Sequence, residues 1–257
     1  MTPDDKDPKD FVAWVREITP ARIGLPRAGD ALSSKPVLEF RAAHAAARDA
    51  VYAGLDGAQL SEACHPLPCV EVTSQVQTRE DFLRRPDFGR RLAFGEAEKL
   101  PEGPFDLVIV CADGLSANAV QANAPAFVAA LRAALPDFEI APLVIAHQGR
   151  VALSDEIGDC MQARLALILI GERPGLSVSD SMGAYLTYAP RPGRMDSERN
   201  CISNIHPRGL SPYAAADKCA WLIREALKLE RTGIDLKDDQ QAELPTEPPL
   251  TRITREQ

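Results

Sequence analysis

The segment LIGERPGL, from Leu169 to Leu176, changes abruptly from an apolar run to charged and turn-forming residues. Glu172 can accept hydrogen bonds and its neighbour Arg173 can donate them, so the pair carries polar groups that suit a ligand-binding loop. Gly171 and Gly175 let the backbone approach a bound molecule closely, because glycine has no side chain. These residue types predict a ligand site at the end of a buried strand. The alternative is a Glu–Arg pair that only stabilises a turn.

Cys201 lies in a second polar segment with candidate chemistry, NCISNI. A cysteine beside charged groups can act as a nucleophile when the pKa of its thiol is lowered. The neighbouring histidine, His206, is followed directly by Pro207 and does not stand at a position that indicates a general base. The sequence therefore favours a packing or ligand-lining role for Cys201 over a catalytic one.

Cys64, His65 and Cys69 come closest to a metal-binding cluster. No second pair of cysteines or histidines follows at ligand spacing, and structural zinc requires four ligands, so the sequence predicts no metal site. The six cysteines are scattered through a chain in which no export signal is recognised, which favours free thiols over a disulfide framework.

Charge and composition argue against several classes of protein. The net charge is −8 and the basic residues form no run, unlike a surface that binds nucleic acid. The longest apolar run, Leu165 to Ile170, is too short to span a bilayer, and the first ten residues do not form a secretory signal. We therefore expect a soluble, cytoplasmic protein. Three common motifs are also missing: the three-glycine dinucleotide fingerprint, the GxxxxGK[ST] phosphate loop and the GxSxG serine elbow.

Strands and helices alternate from Phe105 onward, and they must position the candidate loops. FDLVIVCADG, APLVIAHQG and Leu165 to Ile170 predict buried strands. Leu115 to Leu135 predicts a helix interrupted at Pro125, and Asp155 to Arg164 predicts a helix capped by Ser154. This pattern is typical of an α/β, doubly wound, mostly parallel (Rossmann-like) sheet, whose ligands bind at the carboxyl ends of the strands. Three loops should meet there: ADGLSA (Ala112 to Ala117), HQGRV (His147 to Val151) and GERPG (Gly171 to Gly175).

The rest of the chain predicts a mainly helical amino-terminal portion and a tail. Asp10 to Ile18 and Val37 to Tyr52 carry apolar residues suited to helices, and Val70 to Val76 predicts a short strand. The segment Arg79 to Leu92 holds five arginines, which form a solvated face or meet an acidic partner. We predict three regions: residues 1–100, mainly helical and used for subunit docking; residues 101–238, the α/β domain closed by a helix from Pro212 to Lys228; and residues 239–257, a flexible acidic, proline-containing tail.

Several segments together resemble the small (light) subunit of ethanolamine ammonia-lyase, an adenosylcobalamin-dependent enzyme. They are GRVALSDEIG, LIGERPGLSVSDSMGAYLTYAPR, ERNCISNI and TGIDLK, with LPRAG and ADGLSA upstream. The resemblance covers roughly Arg22 to Lys237, and the ordered pair GERPGLS and NCISNI is specific because neither is a generic phosphate loop or hydrolase elbow.

The resemblance implies a hetero-oligomer in which a large TIM-barrel subunit binds ethanolamine and this chain helps to hold adenosylcobalamin between the subunits. In the family, homolysis of the cobalt–carbon bond starts a radical rearrangement that yields acetaldehyde and ammonia. The catalytic acid or base is then expected in the large subunit, with none in this chain. The family's corrin-contacting residues fall on Val151, Glu172 and Cys201, with Arg150 beside the first. Some relatives use the amino-terminal region for packaging into a bacterial microcompartment, whereas Phe11 and Trp14 suggest a docking helix.

Two other classes of function remain as alternatives. One is a free-standing α/β thiol enzyme or hydrolase that uses Cys201 or Asp113, which predicts activity in the isolated chain. The other is a non-catalytic binding protein for cobalamin or a nucleotide. The cobalamin-binding motif Asp-x-His-x-x-Gly, with its histidine ligand to cobalt, is absent from the sequence, which weakens stand-alone binding and fits half of a shared site.

Overall fold

The computed structural model describes residues 8–19 and 21–237. Helices and strands alternate along most of this length. In chain order the elements are α1 (Pro8–Ile18), β1 (Arg27–Ala28), β2 (Ala31–Leu32), α2 (Ser34–Tyr52), α3 (Gly57–Ala63), β3 (Cys69–Thr73), α4 (Arg79–Arg84), β4 (Phe105–Ala112), α5 (Ala117–Ala134), β5 (Leu143–His147), α6 (Leu153–Cys160), β6 (Ala163–Gly171), β7 (Met182–Tyr188), β8 (Arg199–Ile205) and α7 (Pro212–Leu229). Short 3-10 turns complete the chain between them, one of them at Phe88–Arg90.

The central sheet has six strands in the order β3-β5-β4-β6-β7-β8. The first four are parallel neighbours, whereas β7 pairs antiparallel with β6 and β8 antiparallel with β7. The predicted doubly wound, mostly parallel α/β sheet is confirmed. Strands β7 and β8, which extend the sheet by an antiparallel pair, were not predicted from the sequence.

Strand β4 is buried on both faces because its alternate residues enter two different cores. Leu107 and Ile109 pack in a cluster with residues of α5 and α7, whereas Val108 and Val110 pack on the other face with Ile157 of α6. An apolar run without polar alternation is what a parallel strand between two helical layers requires. The layers therefore fix β4, β5 and β6 and place their carboxyl ends at one edge.

Two predicted helices differ from the structure in their details. Helix α6 begins at Leu153, and Ser154 does not cap it: the Ser154 hydroxyl lies in the first turn and donates to the Val151 carbonyl at 2.9 Å. The helix ends at Cys160, so that Arg164 lies in β6. Helix α5 runs through Pro125 without interruption, because its buried face, including Phe127, anchors both halves of the helix to the core.

The amino-terminal helices form as predicted but leave apolar side chains in solvent. Phe11 is 55% exposed, Trp14 52% and Phe40 45%. Strand β3 precedes residue 100 yet belongs to the central sheet, so the three-region division remains a prediction, and the predicted tail, residues 239–257, lies outside the described residues. Within the described residues, no helix has the length and apolar character needed to cross a membrane.

Candidate functional site

Backbone hydrogen bonds join the three predicted loops at the carboxyl edge of the parallel strands. The Gly171 carbonyl accepts from Leu115 N at 2.9 Å, which links the ends of β6 and β4. The Asp113 carboxylate accepts from the backbone amides of Gln148 at 3.1 Å and Gly149 at 3.0 Å, which links the ends of β4 and β5. The structure thus brings together the loops that the strand pattern predicted.

Gly171 has no room for a side chain, which explains why glycine ends β6. A Cβ atom there would overlap the Ser116 carbonyl oxygen and lie 2.6 Å from the Asp113 carbonyl oxygen. Both obstacles are backbone atoms, which cannot rotate away as a flexible side chain would. This glycine therefore allows two loops of the candidate site to touch.

Substitution Gly171→Ala should lower the free energy of unfolding by about 1–3 kcal/mol, because the added methyl group forces the two loops apart. Urea denaturation followed by circular dichroism measures this change. Gly54→Ala is the matched control, since a Cβ atom at Gly54 meets no atom within 4 Å. Equal stability of the two variants would contradict the close packing of these loops.

Asp113 and Arg79 form a buried ion pair beneath the loops. Arg79 Nη1 lies 3.5 Å from an Asp113 carboxylate oxygen, and the two side chains are 11% and 5% exposed. Arg79 also donates to the carbonyls of Val51 at 2.6 Å and Gly114 at 2.7 Å and to the Gln148 side chain at 3.0 Å. Burial raises the pKa of Asp113, and the Arg79 charge opposes that shift. The pair therefore joins the loops, and the buried Asp113 carboxylate is not placed to react with a substrate.

Arg150 is fixed beside this pair by Phe82. Its Nη2 donates to the Phe82 carbonyl at 2.6 Å, and its guanidinium lies 3.9 Å from the centre of the Phe82 ring. Arg79 contacts the same ring at 4.3 Å. Burial lowers the pKa of Arg150, and the like charges of Arg79, Arg90 and Arg173 lower it further, against the opposing charge of Asp113. Its Nε atom is buried without a hydrogen-bond partner.

Glu172 is half-buried and held by the strand pair that follows it. One carboxylate oxygen accepts from the Ser181 hydroxyl at 2.6 Å, and the other accepts from the backbone amide of Asn204 at 3.3 Å. Its partners are thus on β7 and β8 or just before them, and the Glu–Arg turn pair with Arg173 is not among its contacts. Arg173 is exposed.

Cys201 lies opposite Tyr185 in the pairing of β8 with β7. The residue is exposed, but partial desolvation raises the pKa of its thiol, the hydrogen bond from Tyr185 lowers it, and the charge of Glu172 raises it. The net shift is upward, opposite to that of an activated nucleophile. Burial also raises the pKa of Tyr185. This pairing suits a site that lines a ligand better than a thiol enzyme.

Alkylation should therefore modify Cys201 more slowly at pH 7 than it modifies free cysteine, because less of the thiol is ionised. Iodoacetamide labelling with peptide mass spectrometry measures the rate at this residue alone, and Cys201→Ser confirms the assignment. Labelling faster than free cysteine would restore the thiol-enzyme alternative.

All four predicted site residues line two adjoining cavities. The first has a volume of about 300 Å³, and its walls include Arg90, Arg150, Val151, Tyr185 and Cys201. The second has a volume of about 350 Å³, and its walls include Arg150, Val151, Glu172, Arg173 and Tyr185. Arg150, Val151 and Tyr185 belong to both cavities, so Glu172 and Cys201 lie on two sides of one depression.

Sequence reasoning missed four residues that shape this site: Phe82, Arg79, Arg90 and Tyr185. The first three lie in or just after α4, in the arginine-rich segment that also matched a solvated face. The five arginines of this segment were the signal that could have indicated its place in the site. Tyr185 lies in β7, which was not predicted as a strand. Within the described residues, no group of three or more histidine, cysteine or acidic side chains is placed to hold a metal ion, and all six cysteines are free thiols.

Comparisons with known proteins agree on one family. A sequence model described as ethanolamine ammonia-lyase light chain matches residues 9–237. An ethanolamine ammonia-lyase small subunit of Rhodopseudomonas palustris is 52% identical over 239 residues, covering 90% of this chain and 92% of the relative. Small subunits of Bradyrhizobium diazoefficiens and Rhodococcus erythropolis are 48% and 46% identical, covering 88% and 95% of this chain and 89% and 96% of the relatives.

Proposed function

The chain belongs to the ethanolamine ammonia-lyase light-chain family, and on that premise we propose that it forms one half of an adenosylcobalamin site completed by a large subunit. One observation carries this proposal: Arg150, Val151, Glu172 and Cys201 line two adjoining cavities at the carboxyl edge of the sheet. Ligands of doubly wound proteins bind at that edge.

The residues present fit a corrin with amide side chains. Glu172 has a carboxylate to accept amide N–H groups, and the guanidinium of Arg150, which lines both cavities, has donors suited to an amide carbonyl or a phosphate oxygen. Val151 and Tyr185 offer apolar surface between them. A ligand pocket normally buries most of its ligand, and cavities of about 300 and 350 Å³ are too small to enclose a cobalamin. A second subunit must supply the remaining surface.

In this proposal the chain's own residues bind and orient the cofactor and exclude water from it. When bound, adenosylcobalamin supplies the radical chemistry that converts ethanolamine to acetaldehyde and ammonia. Glu172 accepts from the corrin amides, Arg150 donates to them or to the nucleotide phosphate, and Val151 and Cys201 form a close, mostly apolar surface. Ethanolamine and the catalytic acid or base belong to the large subunit in this proposal, so this chain alone has no lyase activity.

The amino-terminal helices are proposed to dock on the large subunit. Phe11 and Trp14 contact each other with ring centres 5.9 Å apart, and both are about half exposed. Exposed aromatic side chains on one helix are typical of an interface. Docking is favoured over a packaging address for a microcompartment because α2 also leaves Leu38 and Phe40 exposed.

Affinity purification of the tagged chain from its native cells tests the proposal. We expect a large partner in near-stoichiometric amount and the visible absorbance of a corrinoid, with acetaldehyde formed from ethanolamine by the purified complex. Phe11→Ser combined with Trp14→Ser should reduce recovery of the partner. A chain recovered without partner or corrinoid, from cells that metabolise ethanolamine, would contradict the shared site.

A further inference from the structure

Three arginines around the two cavities lack a carboxylate partner. Arg90 and Arg150 line the first cavity, and Arg150 and Arg173 line the second. Among the described residues, no salt bridge joins any of these three side chains to an acidic group. Resting on the proposed function, we propose that these three guanidinium groups form a subsite for the phosphodiester in the nucleotide tail of cobalamin.

Most of the other charged groups near the cavities are compensated. Each nearby carboxylate apart from Glu172 faces an arginine outside the set of three: Asp87 pairs with Arg85 at 2.7 Å, Asp113 with Arg79 at 3.5 Å, Asp155 with Arg199 at 2.5 Å, Glu156 with Arg91 at 3.8 Å, and Asp196 with Arg199 at 3.5 Å. Asp155 and Asp196 share Arg199, so three cations remain against two carboxylates, one of them Glu172, whose oxygens accept from Ser181 and Asn204. The depression carries an excess of positive charge.

Contacts with Phe82 hold the Arg150 guanidinium in this positively charged depression. The Phe82 carbonyl and ring hold its guanidinium, and Phe82 itself is fully buried. The Arg150 Nε atom is buried without a partner, although buried polar groups in proteins are nearly always hydrogen-bonded. Arg90 and Arg173 are exposed, but their like charges act on half-buried Arg150 and lower its pKa, an effect that a bound anion would compensate. The arrangement is that of a binding site whose anion comes from outside the chain.

A phosphodiester is the ligand group that matches this arrangement. A guanidinium group presents donors in a planar fork that fits phosphate oxygens, and several arginines can share one phosphate. The amide side chains of a corrin are neutral, whereas the nucleotide tail carries a phosphodiester charge. Glu172 and the three arginines would then bind different parts of the cofactor. Glu172 would accept hydrogen bonds from amide N–H groups, and the arginines would donate to the phosphate.

Corrinoids that differ in the tail test the subsite directly. Adenosylcobalamin has the phosphate and the base, adenosylcobinamide phosphate keeps a phosphate without the base, and adenosylcobinamide lacks both. Each is titrated by absorption spectroscopy into the complex of this chain with its large subunit. Arg90→Gln and Arg173→Gln are the test variants, and Arg85→Gln is the control, because it removes the same charge from an exposed pair with Asp87.

We expect each test variant to weaken binding of cobalamin and of cobinamide phosphate about tenfold or more, since hydrogen bonds to charged groups are the stronger ones. Affinity for cobinamide should stay unchanged, and the control should bind all three as the wild type does. Equal loss for all three corrinoids, loss of subunit assembly, or no loss at all would overturn the phosphate subsite. A wild-type complex that binds none of the three would instead overturn the proposed function.

Discussion

Replacing Arg79 with methionine should lower the free energy of unfolding by about 3–5 kcal/mol, the cost of leaving a buried charge without its partner. Asp113 would keep its hydrogen bonds from Gln148 and Gly149 but would lose Arg79, its salt-bridge partner. The carbonyls of Val51 and Gly114 would lose their donor as well. Urea denaturation of the full chain measures the loss.

The pH dependence of that loss identifies its cause. Burial already raises the pKa of Asp113, and removing the opposing charge of Arg79 raises it further above the unfolded value of about 3.9. The folded variant therefore binds a proton that the unfolded chain has released, so its stability falls as pH rises through this window. The difference from wild type should be smaller at pH 5 than at pH 8.

Two further variants test this interpretation of Arg79. Adding Asp113→Asn to Arg79→Met should recover part of the stability, because the buried charge is removed. Arg85→Met, which breaks the exposed pair with Asp87, should cause no measurable change. A loss that is the same at both pH values and is not relieved by Asp113→Asn would mean that the ion pair is not what holds these loops.

The second large effect concerns Glu172. Glu172→Ala should weaken cobalamin binding to the assembled complex by about 1.5–3 kcal/mol, or roughly 10- to 150-fold, the range for hydrogen bonds to a charged group. An ionised carboxylate has about four acceptor positions, and Ser181 and Asn204 occupy two, so acceptor capacity remains for the corrin amides. Absorption titration with adenosylcobalamin gives the affinity.

A matched acid distinguishes this effect from a change of net charge. Glu98 is exposed in a short 3-10 helix, and Glu98→Ala should bind cobalamin like the wild type. Both variants should retain the wild-type circular dichroism spectrum. If Glu172→Ala bound cobalamin with unchanged affinity, Glu172 would not be a corrin contact.

The sequence predicted the elements whose local pattern is strong. Strands β4, β5 and β6 are apolar runs, and their order along the chain was enough to place the loops of Asp113, Arg150 and Glu172 at one edge. The predicted start of α6 was wrong, because Ser154 is a good capping residue that here lies inside the first turn of the helix. A local pattern does not reveal whether tertiary packing leaves such a residue at the cap.

The part of the site that sequence could not predict depends on contacts between distant residues. Tyr185 faces Cys201 only because β7 and β8 pair in one register, and their mixed polar and apolar residues gave no strand signal. Arg79 reaches Gln148 across 69 positions of the chain, and Phe82 contacts Arg150 across 68. An arginine-rich segment has the same composition whether its side chains face solvent or a cavity.

Equilibrium binding of adenosylcobalamin tests the shared site most directly. The cofactor is titrated by absorption spectroscopy into this chain alone, into the large subunit alone and into their complex, each at the same concentration. The account predicts tight binding in the complex only, with weak or undetectable binding by either subunit. Binding by the large subunit alone with the affinity of the complex would contradict a cofactor site to which Arg150, Val151, Glu172 and Cys201 contribute.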